Sequence, residues 1–313
     1  MKKDIENAKV DVPQGPIELN HHGSLAQEYK KFLYEHDPID RWQDVVPLAA
    51  PIEVTGLVEP NYEDLRTLGA GCPELSSLLG TRQNYDQAAL ISGLRYAWSR
   101  LDAHTHLLDV LESHFNDEQF PSAVIEPGCF TGGLIHFLAT KLTEVPHIAF
   151  DMSPGALKVA SKFSKNIDHP NSPYWLEGNF LQLTPELMPL ELGQHCGRGL
   201  VILSNIVDTI RQQFEIYPCL NSGKCVAGLI SYWVNQGCVV LVAERQDEPQ
   251  EFIQFIAETG EWNEGVQAVM LREFDAWSTR NMSAENPIGD WYNTLHCICG
   301  FYPEDAFTKT PFE

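Results

Sequence analysis

Short apolar runs and helical stripes alternate along the second half of the chain. Ala123, Val124 and Ile125 form one run that ends in Glu126, and beyond Gly128 and Gly132 the residues Leu134, Phe137 and Leu138 recur at helical spacing. This unit reads as strand, glycine turn, helix. The pattern then repeats: a run ending in Phe150 and Asp151 is followed by Ser153 and Pro154, an N-cap residue before a proline at the first helical position. Residues 174–180 give a third unit, and 199–205 and 237–244 a fourth and fifth strand with a helix at 227–235 between them. Residues 252–257 supply another helix, and 266–274 and 292–301 a last pair of strands. Such runs, alternating with helices, predict an α/β fold built on a doubly wound, mostly parallel seven-stranded sheet.

The first third reads differently. Residues 1–20 are polar, with prolines at 13 and 16, and form an expected arm. Residues 24–35 read as a helix with Leu25, Tyr29, Phe32 and Leu33 on one face and Ser24 as its N-cap. Prolines at 38, 47, 51, 60 and 73 punctuate the next stretch and predict a loop-rich lid. Leu90, Leu94, Ala97, Leu101, Leu108, Leu111 and Phe115 then keep helical spacing over 86–114, as one helix or two with a break near Ala103. The expected division is an N-terminal helical cap over residues 1–116 and a sheet domain over 117–313.

Composition narrows the field. At 313 residues and 43% hydrophobic content the chain can bury a sizeable core. No apolar run approaches the ~20 residues that span a bilayer, and the first residues lack the apolar segment of a signal peptide, so a cytoplasmic protein without membrane attachment is expected. The eight cysteines are scattered, which favours reduced thiols. With 43 acidic against 21 basic residues the formal charge is −22, which repels a polyanion and argues against nucleic acid as a partner.

The glycine turn carries the most informative chemistry. Gly128 and Gly132 let a ligand lie against the backbone at a helix N-terminus, and Glu126 favours a ligand bearing an ammonium group over a phosphate. The stretch Glu126, Gly128, Gly132 resembles motif I of the class I S-adenosylmethionine-dependent methyltransferases, acidic-x-Gly-x-x-x-Gly, with Phe130 where that family often has another glycine. The resemblance extends over residues 117–302. It implies S-adenosylmethionine as cofactor, with Glu126, Gly128 and Gly132 around its amino-acid end and Asp151, followed by Met152, at its ribose diol. It further implies Asn179 and Phe180 at the adenine, and Asn205 at the end of the fourth strand. Tyr85, with Asp86, resembles a Tyr-Asp pair that precedes the fold in small-molecule methyltransferases, where the ring can close over the sulfonium. Each has a plainer reading: Asp151 as an acid near a helix start, Asn179 as a turn residue, Tyr85 as an aromatic at a helix start.

No catalytic residue is implied. Asp208, Glu244 and His296 lie near strand ends, where open α/β sheets bind their ligands, and each is a candidate base or a structural residue. His104 and His106, two apart, fall on different helix faces and read as solvated or capping residues, so no metal site is expected. Pro218-Cys219 resembles the nucleophile pair of cytosine-C5 methyltransferases but lies well past strand four, and an Asn-Pro-Pro-Tyr motif is absent there. The expected activity is methyl transfer to O or N of a small-molecule acceptor, which the acidity suggests is neutral or cationic. Two rivals remain: a methyltransferase-like scaffold without turnover, and a nicotinamide-binding oxidoreductase, which would want Gly-x-Gly-x-x-Gly at the turn.

Overall fold

The computed structural model describes residues 23–36, 97, 100–114, 121–166, 171–178, 198–206, 222–245, 265–280 and 290–303. In chain order these form α1 (Ser24–His36), α2 (Leu101–His114), β1 (Val124–Pro127), α3 (Gly133–Lys141), β2 (His147–Asp151), α4 (Pro154–Asn166) and β3 (Tyr174–Glu177). There follow β4 (Leu200–Ser204), α5 (Ser222–Asn235), β5 (Val239–Arg245), β6 (Val266–Arg280) and β7 (Asp290–Pro303). The expected lid, the helix at 252–257 and the polar arm lie outside the described residues.

One seven-stranded sheet runs β3-β2-β1-β4-β5-β7-β6. The first five strands in chain order are parallel, β7 is antiparallel to β5, and β6 is antiparallel to β7. The doubly wound, mostly parallel sheet is thus present, with its antiparallel pair at one edge. β1, β2 and the first four residues of β4 are buried along their length, as strands covered on both faces must be.

Alternate strand residues serve two cores. Ile125, Phe150, Val201, Leu203, Val240 and Val242 pack with Ile230 and Trp233 of α5. On the other face Val124, Leu200, Ile202 and Leu241 meet α1, α2 and α3 through Tyr29, Leu33, Leu101, Leu108 and Phe137. A smaller cluster of Ala149 and Trp175 takes Ile135 of α3 and Leu157 and Ala160 of α4. The described helices of the first third therefore complete one face of the sheet.

Two local expectations are corrected. The helix does not break near Ala103: α2 is continuous from Leu101 to His114, and the turn falls earlier, at Arg100, whose carbonyl accepts the His104 amide at 2.9 Å. Ala103 is buried at 2% exposure, so packing holds it where the apolar spacing alone looked irregular. Ser24 is not the N-cap of α1. It is the first helical residue, its hydroxyl donates to Glu112 of α2, and the carbonyl of Gly23 takes the first helical bond, from Gln27.

The last two strands exceed their expected lengths. β7 pairs with β5 only over residues 296–301, whereas its pairing with β6 continues to Arg280↔Asp290. A two-stranded ribbon of residues 275–280 and 290–295 therefore runs on past Arg245, beyond the C-terminal end of β5. Among the described residues no helix is long and apolar enough to cross a membrane.

Phe137 joins the N-terminal helices to the sheet: it is fully buried, with the Tyr29 ring 5.1 Å and the Phe32 ring 5.7 Å away. Phe137→Ala is expected to cost about 3–5 kcal/mol in urea unfolding, through lost contacts and the cavity left behind. A loss under about 1 kcal/mol would show that α1 does not depend on this contact.

Candidate functional site

β1 ends in Glu126, and the chain then turns through three residues of left-handed backbone: Gly128 (φ 68°), Phe130 (φ 50°) and Gly132 (φ 72°). Phe130 is the costly one, because a side chain resists this conformation. A glycine would adopt it without strain, which explains why glycine suits this position. What holds Phe130 is Asp151 at the end of β2, whose Oδ2 accepts the Phe130 amide at 2.8 Å, while the Cys129 amide donates to the Phe150 carbonyl at 3.0 Å. Gly132 then caps α3 with no side-chain bond of its own. Glu126 supplies one instead: its Oε2 accepts the amide of Ile135, in the first turn of α3, at 3.1 Å.

Beside this turn lies a cleft enclosing about 330 Å³, open solvent included, whose lining includes Arg100, His104, Glu126, Gly128, Ser204 and Asn205. It sits at the C-terminal ends of β1 and β4. From β1 the chain winds outward to β2 and β3 on one side, and from β4 to β5 on the other, so these ends mark the point where the sheet order reverses. Open α/β sheets leave a crevice there because the connections depart in opposite directions.

Of the residues expected from the sequence, Glu126, Gly128 and Asn205 line this cleft. Gly132 stands one step behind it, and a Cβ at that position would meet the Trp175 ring at 2.5 Å. Asp151 lies behind the turn at 9% exposure, with Oδ2 on the Phe130 amide and Oδ1 on the Ser153 amide, each at 2.8 Å. Met152 is half-buried at the end of β2. Tyr85, Asn179, Phe180 and Asp208 lie outside the described residues.

His104 reverses its expectation as a solvated or capping residue. It is buried in α2, with Nδ1 3.1 Å from the Tyr29 hydroxyl and Nε2 3.3 Å from Ser204 Oγ. His106 is also drawn inward and stacks on Phe274 at 3.9 Å, with the buried His296 on that ring at 5.6 Å. Arg100 reaches across from the start of α2, donating from Nη1 to Asn205 Oδ1 at 3.2 Å, and Asn205 Nδ2 donates to Ser204 Oγ at 3.1 Å. Arg100, His104 and Ser204 were not singled out from the sequence as site residues. One signal was available: Ala97, Leu101, His104, Leu108 and Leu111 follow one helical stripe, so a histidine occupies a core position.

Burial shapes the charges. It raises the Glu126 carboxyl to about 8, helped by the nearby Asp151 and opposed by the Ile135 amide. It lowers His104 to about 3, with Arg100 and His296 adding to the effect, so the ring is neutral at physiological pH. Burial, then Glu126, raises the Tyr29 phenol well above its usual value. A carboxyl in this state gains from any cation placed beside it, and Arg100 offers the opposite charge to an anion in the same cleft. The donor set therefore suits the zwitterionic end of S-adenosylmethionine, and Gly128 is required at the turn because a Cβ there would meet the Ile206 side chain at 2.5 Å. Among the described residues no three His, Cys, Asp or Glu groups converge as a metal would need.

No family model and no curated protein matches the chain. Among solved structures it is similar to magnesium protoporphyrin IX methyltransferase from Synechocystis PCC 6803 with bound SAM, at 12% identity over 88% of this chain and 96% of that one (TM-score 0.37). The plantazolicin methyltransferase BamL, in complex with a triazolic desmethylPZN analog and SAH, is 11% identical over 77% and 95% (TM-score 0.37). The YcgJ protein from Bacillus subtilis is 9% identical over 64% and 99% (TM-score 0.44). These scores all lie below 0.5, so the fold rests on the sheet itself and the site on its own geometry. The strand order is that of the class I methyltransferases, as the glycine-turn resemblance implied.

The two perturbed groups act oppositely on stability. Glu126 is raised from 4.5 to about 8, so the folded chain holds a proton that the unfolded chain has released. Its contribution is full below about 4.5 and is lost as pH rises to about 8. His104, lowered from 6.5 to about 3, contributes fully above 6.5 and loses that contribution as pH falls toward 3. Glu126→Gln should therefore gain on wild type in urea midpoint as pH rises from 4.5 to 8. Parallel curves for the two proteins would contradict the raised carboxyl.

Proposed function

We propose that this chain is a class I S-adenosylmethionine-dependent methyltransferase with a small-molecule acceptor, methylated at O or N. The observation that carries the reading is the buried Glu126 carboxyl facing a cleft at the point where the sheet order reverses, beside a turn stripped of side chain at Gly128.

In this reading Glu126 takes the cofactor's ammonium, and Arg100 lies within the same cleft to meet its carboxylate. Asp151, at the end of β2, takes the ribose diol while it continues to hold the Phe130 amide. Met152, Asn179 and Phe180 follow at the adenine, Asn205 borders the methyl side, and Tyr85 closes over it. The bound cofactor supplies a methyl group already activated by its sulfonium. The chain's task is to align the acceptor with that methyl and keep water out. Residues 1–116 cover the cofactor edge as a helical cap and carry acceptor choice, since α1 and α2 bring Tyr29, Arg100 and His104 to the cleft side. A charge of −22 sets the chain against polyanionic acceptors and favours a neutral or cationic metabolite.

Calorimetry tests the cofactor. S-adenosylmethionine and its demethylated product should both bind, and binding at pH 7 should release about one proton as the ammonium draws Glu126 into its charged form. Glu126→Gln should lose that release and weaken binding about tenfold or more, ~1.4 kcal/mol. Proton release unchanged in the variant would remove Glu126 from the ammonium site, and no binding to wild type would overturn the reading. The acceptor is sought by incubating labelled cofactor with a metabolite extract, in parallel with RNA, DNA and protein. Label in the small-molecule fraction is expected; label confined to a macromolecule would contradict the proposed acceptor class.

A further inference from the structure

Tyr29, His104, Ser204, Asn205 and Arg100 form an unbroken hydrogen-bonded chain drawn from α1, α2 and the end of β4. Its middle member, Ser204, lines the cleft on the wall formed by β4, across from the glycine turn. The hydrogen positions follow from the ends inward. Arg100 can only donate, so Asn205 Oδ1 accepts from it and Nδ2 is the donor to Ser204 Oγ. With one hydrogen received at Oγ, the Ser204 hydroxyl can give its own to His104 Nε2, and in that tautomer His104 Nδ1–H donates to the Tyr29 oxygen. This is the arrangement of a hydroxyl backed by a neutral imidazole.

We propose that Ser204, backed by His104 and positioned through Tyr29, is the proton acceptor for a hydroxyl substrate, so that the product is a methyl ether. The proposal rests on the methyltransferase reading. The acceptor oxygen bonds to the methyl carbon as the carbon–sulfur bond breaks, and that bond's electron pair stays on sulfur. The acceptor's proton passes to Ser204 Oγ as Ser204's own proton passes to His104 Nε2, and the imidazolium formed keeps its Nδ1–H on Tyr29. A methylated hydroxyl is a strong acid until it loses its proton, so even a weak base that rests neutral suffices. An amine needs no such relay, because its methylated product holds its proton stably. Burial, Arg100 and His296 keep His104 neutral and ready.

The first test needs no acceptor. Nitrogen-15 spectra of histidine-labelled protein should show His104 with Nε2 unprotonated and Nδ1 protonated; the opposite tautomer overturns the relay. The second uses label transfer from the cofactor to the metabolite extract. His104→Gln can keep the bond to Ser204 but cannot take its proton, so it should lower transfer at least a hundredfold while affinity for the demethylated cofactor stays within twofold. Transfer within threefold of wild type overturns the proposal while leaving the methyltransferase reading intact. Should that variant not fold, the Ser204 pair decides: Ser204→Ala should lose at least tenfold and Ser204→Thr keep most of the rate, and equal rates overturn the proposal. The labelled product should survive mild alkali and release its label as methyl iodide in boiling hydriodic acid. Label held on nitrogen overturns it. A wild-type protein that binds the cofactor and transfers no label overturns both readings together.

Discussion

The Phe130 amide donates to Asp151 while the Ile135 amide donates to Glu126, and between them these bonds fix a turn with three left-handed residues in five. Neither carboxyl is free to choose its place. Each ends a buried parallel strand, and β1 and β2 are in register with Glu126 opposite Ala149. The cleft depends on this pairing of strand ends, since the Phe130 amide bond to Asp151 holds the turn whose Gly128 lines it. Carboxylates that cap backbone amides often stabilise a fold. Here burial opposes the charge and raises the Glu126 carboxyl to about 8, although the Ile135 amide favours the charged form.

The N-terminal helices enter this balance from the far side of the sheet's helical layer. Tyr29 rests against Phe137 and reaches His104, and His104 reaches Ser204 at the end of β4. A further tie, Arg272 of β6 to Asp109 of α2 at 3.0 Å, with the Gly23 amide also on Asp109, fastens both helices to the sheet edge. Their positions are therefore set by the same core that positions the strands.

Much of this was legible in the sequence because strands buried on both faces show as unbroken apolar runs. The order of strand, turn and helix, the Ser153 cap and the acid at each of the first two strand ends all follow from local chemistry, and Ser153 Oγ does accept the Ala156 amide at 3.0 Å. Glu126, Gly128 and Asn205, named from the sequence, line the cleft. The role of Asp151 in holding Phe130 was not readable, because it depends on the φ of a phenylalanine, which no spacing reveals. Nor was the contact of His104 with Ser204, a hundred residues on in the chain, since pairings of that range are set by tertiary packing. The stripe through Ala97, Leu101 and Leu108 placed a histidine in the core, but reading the His104 and His106 pair only for metal spacing passed over it.

The ribbon of residues 275–280 and 290–295 runs on past the end of β5 and, among the described residues, is paired within itself there. Its hydrogen bonds are made strand to strand, so its length is not tied to the register of the five parallel strands. Residues inserted or removed in it would shift the far end relative to the cleft side of the sheet while the core kept its packing. In evolutionary terms this is an adjustable margin: one hairpin can change in length without renegotiating the turn that Glu126 and Asp151 hold in place.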